Sequence, residues 1–211
     1  MKHSHEIIRA TTPDLRKKGR EFINQYHSYI KYSDRPSRKM YYNLYEDGNM
    51  VGVFALSSVF YKPKSVKEWM VNHDLKSNEI ANNIVYCLAR HKDKNAGSKF
   101  LALLRKDSSV WWHERYGDEL KAFQTFILPP RSGAVYKADN WELIGETIGK
   151  SQFVRTIKPS EIHNFTKYEK QVFKSGEIRY LVRGFQDTEK KLIFMKLNVK
   201  RKTVNIGGFS F

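Results

Sequence analysis

Residues 80–101, IANNIVYCLARHKDKNAGSKFL, decide the fold that we predict for this chain. The apolar run over 80–89 predicts a buried strand, and a polar loop with one glycine then leads into the apolar spacing of a helix. The first N–H groups of a helix have no intrahelical acceptor, so such a loop can bind a phosphate or pyrophosphate. Lys92, Lys94 and Lys99 add positive charge there. An ordinary strand-to-helix turn explains the same pattern and stays an alternative.

The segments around this stretch predict further helices and strands. Thr12, Pro13 and Asp14 have the residue types of a helix start, and an Asp-Gly turn at Asp47 joins two β-rich runs into a hairpin. The predicted elements are a helix over 13–30, a hairpin of 40–46 and 50–57, a short helix over 63–74, a strand over 121–128, a short helix and a strand within 134–146, and a basic hairpin of 177–185 and 191–199. This order predicts an α/β protein with a central mixed sheet flanked by helices.

The net charge of +16 is the first indication of a partner. Residues 1–40 carry 10 basic and 4 acidic side chains, and residues 151–211 carry 13 and 5, whereas the middle is almost balanced. An excess of this size is typical of proteins that bind a polyanion, and two basic flanks around a neutral centre suit a clamp on DNA. Solvated surface lysines are the alternative interpretation.

The composition also excludes several classes of protein. Cys87 is the only cysteine, so a disulfide framework and a cysteine-based zinc site are excluded. Eighteen consecutive apolar residues do not occur, and residues 1–15 have no apolar signal-peptide core. The histidines have no metal-ligand spacing with carboxylates, so the sequence argues for no metal site. We therefore expect a protein of the bacterial cytoplasm, without a membrane span.

Two motifs resemble those of the GNAT acyltransferase superfamily. Lys92-x-x-Asn95-x-Gly97-Ser98 is similar to the acyl-CoA loop Arg/Gln-x-x-Gly-x-Gly/Ala, and Tyr136 with Asn140-Trp141 is similar to Tyr-x-x-x-Gly-Phe. In both motifs asparagine replaces a glycine, and asparagine tolerates positive φ better than most other residues.

A narrower resemblance covers residues 15–150. The stretch 112–150, with Tyr116-Gly117, Thr125-Phe126 and the motif from Gly133 to Trp141, resembles the phage Mom-type DNA-modification proteins and the Mom-like domain of Druantia defence systems. This resemblance implies a GNAT-like transferase that modifies a DNA base, with the exocyclic amine of adenine as the expected target. Such a modification protects phage or mobile-element DNA from restriction.

The resemblance implies roles for individual residues. Tyr136 would be the acid that protonates the leaving thiolate, although packing against the sheet would also explain it. Asp139 lies in the same motif and leads the candidate bases, ahead of Glu142, Glu79, His91 and His113. The donor would be acyl-CoA, such as acetyl-CoA. Its expected binding residues are Lys92, Asn95, Gly97, Ser98 and Lys99.

Substrate contacts are expected from basic and aromatic residues, because a base must be flipped out or single-stranded to be modified. The candidates are Tyr32, Arg35, Arg38, Ser132, Asn140, Lys200, Arg201 and Lys202. We expect a GNAT-like catalytic domain over residues 1–150 and a basic C-terminal extension over 151–211, packed on that domain. The alternatives are a conventional N-acetyltransferase acting on a protein or small-molecule amine, and a non-catalytic DNA-binding protein that keeps the fold.

Overall fold

The computed structural model describes residues 3–27, 38–59, 61–89 and 91–198, with the side chains of residues 151 and 152 excepted. Seven strands form the main sheet in the order β1-β2-β3-β4-β5-β10-β6. Their bounds are β1 His5–Arg9, β2 Lys39–Glu46, β3 Asn49–Ser58, β4 Ile80–Leu88, β5 Ala122–Ile127, β6 Glu142–Glu146 and β10 Leu192–Leu197. The β4–β5 pair is parallel and the other pairs are antiparallel. This arrangement confirms the predicted mixed sheet.

Helices lie on both faces of the main sheet. Their bounds are α1 Pro13–Tyr26, α2 Lys64–Asn72, α3 Ala96–Tyr116 and α4 Ala134–Ala138. Successive side chains of a strand point to opposite faces. In β3, Phe54 packs in the cluster that contains α3, and Val53 packs in the cluster with Phe22 and Ile23 of α1. The apolar residues of β3 therefore build two cores, one under each helix.

A second sheet lies in the chain between β6 and β10. Its strands are β7 Lys150–Ile157, β8 Tyr168–Val172 and β9 Ile178–Asp187, in the order β7-β9-β8. All of its pairs are antiparallel, and a 3-10 helix over Pro159–Asn164 follows β7. We call these three strands the small sheet. The chain then returns to the main sheet, where β10 lies between β5 and β6.

The structure confirms most of the predicted elements, changes two of them and adds strands that were not predicted. The hairpin at Asp47-Gly48 is present as β2 and β3, whereas α1 ends at Tyr26 and not at residue 30. Strand β1 was not predicted. The predicted pairing of 177–185 with 191–199 is wrong, because β9 pairs with β7 and β8. In β10, Ile193, Phe194 and Met195 are fully buried in the main sheet.

The expected division of the chain into a catalytic domain over 1–150 and an extension over 151–211 stays a prediction. Strand β10, which lies after residue 150, belongs to the main sheet, and the small sheet occupies most of the residues between 150 and β10.

Among the described residues, none of the helices is both long and apolar enough to span a membrane.

Candidate active site

Strands β4 and β5 separate in the middle of the main sheet. Their register runs from Ile80 opposite Ala122 to Asn83 opposite Thr125, and in the described strands it goes no further. At the same point the β3–β4 register shifts, which leaves Ile84 as an extra, bulged residue. A bulge bends a strand and ends regular pairing. The end of β4 from Ile84 to Leu88 therefore presents an unpaired edge toward β5.

A cavity of about 1100 Å³ lies where the two strands separate. Ile84 and Tyr86 of β4 and Phe126 of β5 line it, as do residues of the loop into α4. Phe185 of the small sheet also lines it. Small-molecule pockets usually measure about 300–1,000 Å³, so this cavity has room for parts of two reactants.

Tyr136 is fixed at the point where the strands separate. Its side chain is 4% exposed, and its hydroxyl donates to Oδ1 of Asn83 at 2.6 Å. Nδ2 of Asn83 in turn donates to the carbonyl oxygens of Ala55 and Val85, at 2.9 and 2.7 Å. Asn83 thereby ties the tyrosine hydroxyl to the backbone of both β3 and β4 beside the bulge.

The chain before Tyr136 needs its glycine. Gly133 has φ +70°, in the left-handed region that favours glycine. A Cβ on Gly133 would lie 2.5 Å from Cε2 of the fully buried Phe194. The Tyr136 ring stacks on Phe194 with 6.0 Å between ring centroids, and the ring of Trp141 meets it at 5.0 Å. These contacts explain why the PRSG loop leads Tyr136 into the cavity wall.

The turn after α4 confirms the expected backbone conformation of Asn140, but it places Asp139 in an ion pair and not at the cavity. Asn140 has φ +56°, so asparagine does stand where a glycine conformation is required. Asp139 is 8% exposed, accepts a hydrogen bond from Nε1 of Trp141 at 2.8 Å and pairs with Arg105. Neither Asp139 nor Asn140 is among the described residues that line the cavity. The structure therefore brings Tyr136 to the cavity and places Asp139 in an ion pair beside it.

The loop before α3 already contains an internal anion. The carboxylate of Glu46, 3% exposed, accepts the N–H groups of Lys92 and Asp93 at 2.6 and 3.0 Å. The N–H of Asn95 bonds to Oδ1 of Asp93, and the ammonium of Lys99 lies 2.5 Å from Oδ2. Much of the predicted anion cradle is thus closed by the protein itself.

Two further details of this loop concern the predicted asparagine and glycine. Asn95 has φ −98°, so the positive φ expected there is wrong and this position needs no glycine. Gly97 has a packing role: a Cβ on it would lie 2.5 Å from Cγ2 of Val135. The hydroxyl of Tyr86 donates to the carbonyl of Gly97 at 2.7 Å. The start of α3 therefore contacts the cavity wall directly. The N–H groups of Gly97 and Ser98 belong to the first turn of α3, where intrahelical acceptors are lacking.

We expect Glu46→Gln to alter the pH dependence of stability. Burial alone would raise the pKa of Glu46, but the N–H groups of Lys92 and Asp93 bring that pKa below its ordinary value of 4.5. The folded state then binds this proton less tightly than the unfolded state. Its stabilisation is complete above pH 4.5 and disappears as the pH falls through the lower, folded pKa.

Urea unfolding between pH 3 and 6 tests this expectation. The free energy of unfolding should fall less steeply with decreasing pH in Glu46→Gln than in the parent protein. The exposed Glu68, which pairs with Lys64 on α2, provides a matched Glu68→Gln control. Equal slopes for the parent and Glu46→Gln would contradict the role assigned to this carboxylate.

The remaining predicted substrate residues fall into three groups. Ser132 lines the cavity. Arg38 pairs with Asp118 and lies 5.2 Å over the ring of Tyr116, outside the set of described residues that line the cavity. Five lie outside the described residues: Tyr32, Arg35, Lys200, Arg201 and Lys202.

Several residues of the cavity were not predicted from the sequence. His27, at the end of α1, lines the cavity together with Arg131. Burial, and then the charge of Arg131, lowers the pKa of His27 below its ordinary 6.5, so its imidazole is neutral at pH 7 and can accept a proton. No local motif marks His27, because the cavity is built from segments that are distant in sequence. Among the described residues, no group of three His, Cys, Asp or Glu side chains is placed to hold a metal ion.

Comparison with known proteins gives structural neighbours only. No protein-family model and no curated protein matches the chain. FeeM, an N-acyl amino acid synthase from uncultured soil microbes, is 8% identical, with 93% of this chain and 92% of that chain covered and a TM-score of 0.48. A GNAT-family protein from Desulfovibrio desulfuricans is 9% identical, with coverages of 92% and 99% and a TM-score of 0.48. AAC(6′)-Ib, in complex with paromomycin and acetyl-CoA, is 12% identical, with coverages of 87% and 93% and a TM-score of 0.46.

The TM-scores of these three neighbours are below 0.5, so they carry no argument, and the fold rests on the strand order and register of this chain. Those features agree with the predicted GNAT-like mixed sheet flanked by helices. None of the three is a Mom-type protein.

Proposed function

We propose that this protein is a GNAT-like acyltransferase that uses acyl-CoA to modify an amine, with the exocyclic amine of adenine in DNA as the acceptor. One observation carries the proposal: β4 and β5 separate beyond Asn83, and the cavity between them has the Tyr136 hydroxyl at its wall. The unpaired edge of β4 offers backbone N–H groups to a ligand. A thioester arm laid along this edge would take the place of the missing strand pairing.

The start of α3 fits the phosphates of acyl-CoA in part. The N–H groups of Gly97 and Ser98 at the start of α3 can attract an anion, and the side chains of Lys92 and Lys94 in the preceding loop are exposed. Glu46 and Asp93 hold the other N–H groups of the loop, so fewer remain than the motif implied. Acyl-CoA, when bound, supplies an acyl group activated as a thioester.

Tyr136 is the proposed acid. As the new N–C bond forms and the C–S bond breaks, its hydroxyl proton passes to the departing sulfur. Asn83 accepts the hydroxyl hydrogen bond beforehand and holds the oxygen at the separation of the strands. The hydroxyl therefore only has to rotate from Oδ1 of Asn83 toward the sulfur.

His27 is the proposed acceptor of the proton that the amine loses. It lines the cavity, and its lowered pKa keeps the imidazole neutral at pH 7. Two other predicted bases have partners elsewhere: Glu142 accepts from Nε1 of Trp69 at 2.7 Å, and Glu79 contacts the ammonium of Lys121 at 2.5 Å. In this proposal Asp139 fixes the turn behind Tyr136 and does not contact the amine.

DNA is the proposed acceptor for two reasons. The chain has a net charge of +16, and residues 112–150 resemble Mom-type DNA-modification proteins. Arg131, Lys150 and Lys191 also line the cavity and supply positive charge at the proposed site. Such a protein would act on phage or mobile-element DNA in a bacterial cytoplasm and protect it from restriction. A protein or small-molecule amine is the second candidate acceptor, because acyl transfer needs only a nucleophilic nitrogen.

Expression in a bacterium, followed by digestion of the genomic DNA and mass spectrometry of the nucleosides, tests the proposal. We expect a deoxyadenosine derivative that is absent from cells expressing Tyr136→Phe. Binding of acetyl-CoA to the purified protein is measured by calorimetry in parallel. Acetyl-CoA binding without any new nucleoside would favour a conventional N-acetyltransferase, and DNA binding without acetyl-CoA binding would favour a non-catalytic DNA-binding protein.

A further inference from the structure

The two faces of the small sheet differ in how they are covered. On one face Ile157 and Val182 are buried, at 4% and 0% exposure. Phe165, directly after the 3-10 helix, contacts the ring of Phe153 on this face, with 6.4 Å between the centroids. We call this the packed face. It is the side on which the small sheet forms its own core.

The other face is uncovered among the described residues, and we call it the open face. Val154 is paired with Arg183 across the strands, and Phe185 follows two residues later, so all three side chains point to the same side. Val154 is 56% and Phe185 72% exposed. Phe185 also lines the cavity, which places the open face at the cavity mouth. Ile148, 70% exposed, lines the same mouth.

The charge around this mouth is positive. Arg131, Lys150 and Lys191 line the cavity with one acidic side chain, Glu189. Arg183 is exposed on the open face beside Phe185. The small sheet and its loops, residues 150–187, carry eight Lys and Arg against four Asp and Glu. An exposed ring among cations attracts a ligand that is both flat and anionic.

Nucleotides have this combination of properties. A base offers a flat ring that stacks on an aromatic side chain, and its phosphates pair with nearby lysine and arginine. We propose that the open face of the small sheet binds a single-stranded segment of DNA, or a nucleotide extruded from a duplex, with Phe185 stacking on a base at the cavity mouth. This inference rests on the proposed function, because it assigns the surface that holds the acceptor.

The adenine ring of CoA has similar chemistry, but the structure favours DNA on this face. The start of α3, where the donor phosphates fit, contacts the wall formed by Val135 and Tyr86. Phe185 belongs to a different element that lines the same cavity, strand β9 of the small sheet. The open face also continues along the strands from Phe185 to Arg183 and Val154, as a polymer requires.

Fluorescence anisotropy with labelled DNA tests the inference. We expect Phe185→Ala to weaken binding of a single-stranded oligonucleotide by about tenfold to a hundredfold, as for the loss of one stacked base. Phe185→Trp should keep the affinity. Phe173 is also exposed, at 45%, but is not among the described residues that line the cavity, so Phe173→Ala is the matched aromatic control and should bind as the parent does. Melting temperatures verify that the variants are folded.

Three DNA probes distinguish the sources of the nucleotide. A single strand and a duplex with one unpaired adenine should both bind more tightly than a fully paired duplex, and only the first two should depend on Phe185. Equal binding by the parent and Phe185→Ala would overturn the inference and leave DNA as the acceptor. Loss of acetyl-CoA binding instead of DNA binding in Phe185→Ala would assign the face to the donor and also overturn it. If the parent binds no DNA at all, both the inference and the DNA acceptor fail, while acetyl-CoA calorimetry still tests acyl transfer.

Discussion

Tyr136→Phe is expected to slow acyl transfer by about 10²–10⁴-fold in a protein that remains folded. The substitution removes one hydroxyl and keeps the ring that packs against Phe194 and Trp141. It also leaves the buried Oδ1 of Asn83 without its 2.6 Å donor, which costs about 1–3 kcal/mol of folding free energy. The yield of modified nucleoside and the melting temperature of the purified variant measure the two effects separately.

Tyr42→Phe is the matched control for this change. Tyr42 is fully buried, its hydroxyl donates to Asp107 at 2.9 Å, and it is not among the described residues that line the cavity. Loss of this hydroxyl should lower stability to a similar or smaller extent and leave the yield per folded molecule unchanged. A normal yield from folded Tyr136→Phe would show that Tyr136 only packs, and the acid would then have to be sought elsewhere.

Asp139→Ala is expected to lower the free energy of unfolding by about 3–5 kcal/mol. The side chains of Arg105 and Asp139 are 18% and 9% exposed, so removal of the carboxylate leaves a largely buried guanidinium without its counter-charge. Nε1 of Trp141 loses its 2.8 Å acceptor as well. Chemical denaturation measures the loss, which should appear as a lower midpoint.

The Asp139 variants also separate structure from catalysis. Asp139→Asn keeps the shape and one acceptor for Trp141 but removes the charge, so it should be destabilised, with a yield per folded molecule close to that of the parent. The exposed pair of Arg179 and Glu177 gives a control, because Glu177→Ala should leave the denaturation midpoint almost unchanged. If folded Asp139→Asn at parental stability lost its activity, Asp139 would act in the chemistry as the sequence first indicated.

Some elements are predictable because their signals are local. The turn has φ +48° at Asp47 and +77° at Gly48, as a tight hairpin requires. An Asp-Gly pair is typical of such turns, so the sequence predicts it. Thr12 caps α1 by accepting the N–H of Leu15. Strand β10 has no such signal. It pairs with β5 and β6 because its buried residues fit between them, whereas the sequence predicted a hairpin of the same run with 177–185.

The sequence by itself determined the mixed sheet, the position of Tyr136 before a left-handed asparagine, and the basic character of the chain. These properties follow from residues close together in the chain, or from composition alone. Only the tertiary structure decided that Asp139 pairs with Arg105, that Glu46 accepts N–H groups of the loop before α3, and that His27 and Phe185 line one cavity. Each of these depends on contacts between residues far apart in sequence. Such contacts form only when the whole fold packs and buries the residues together.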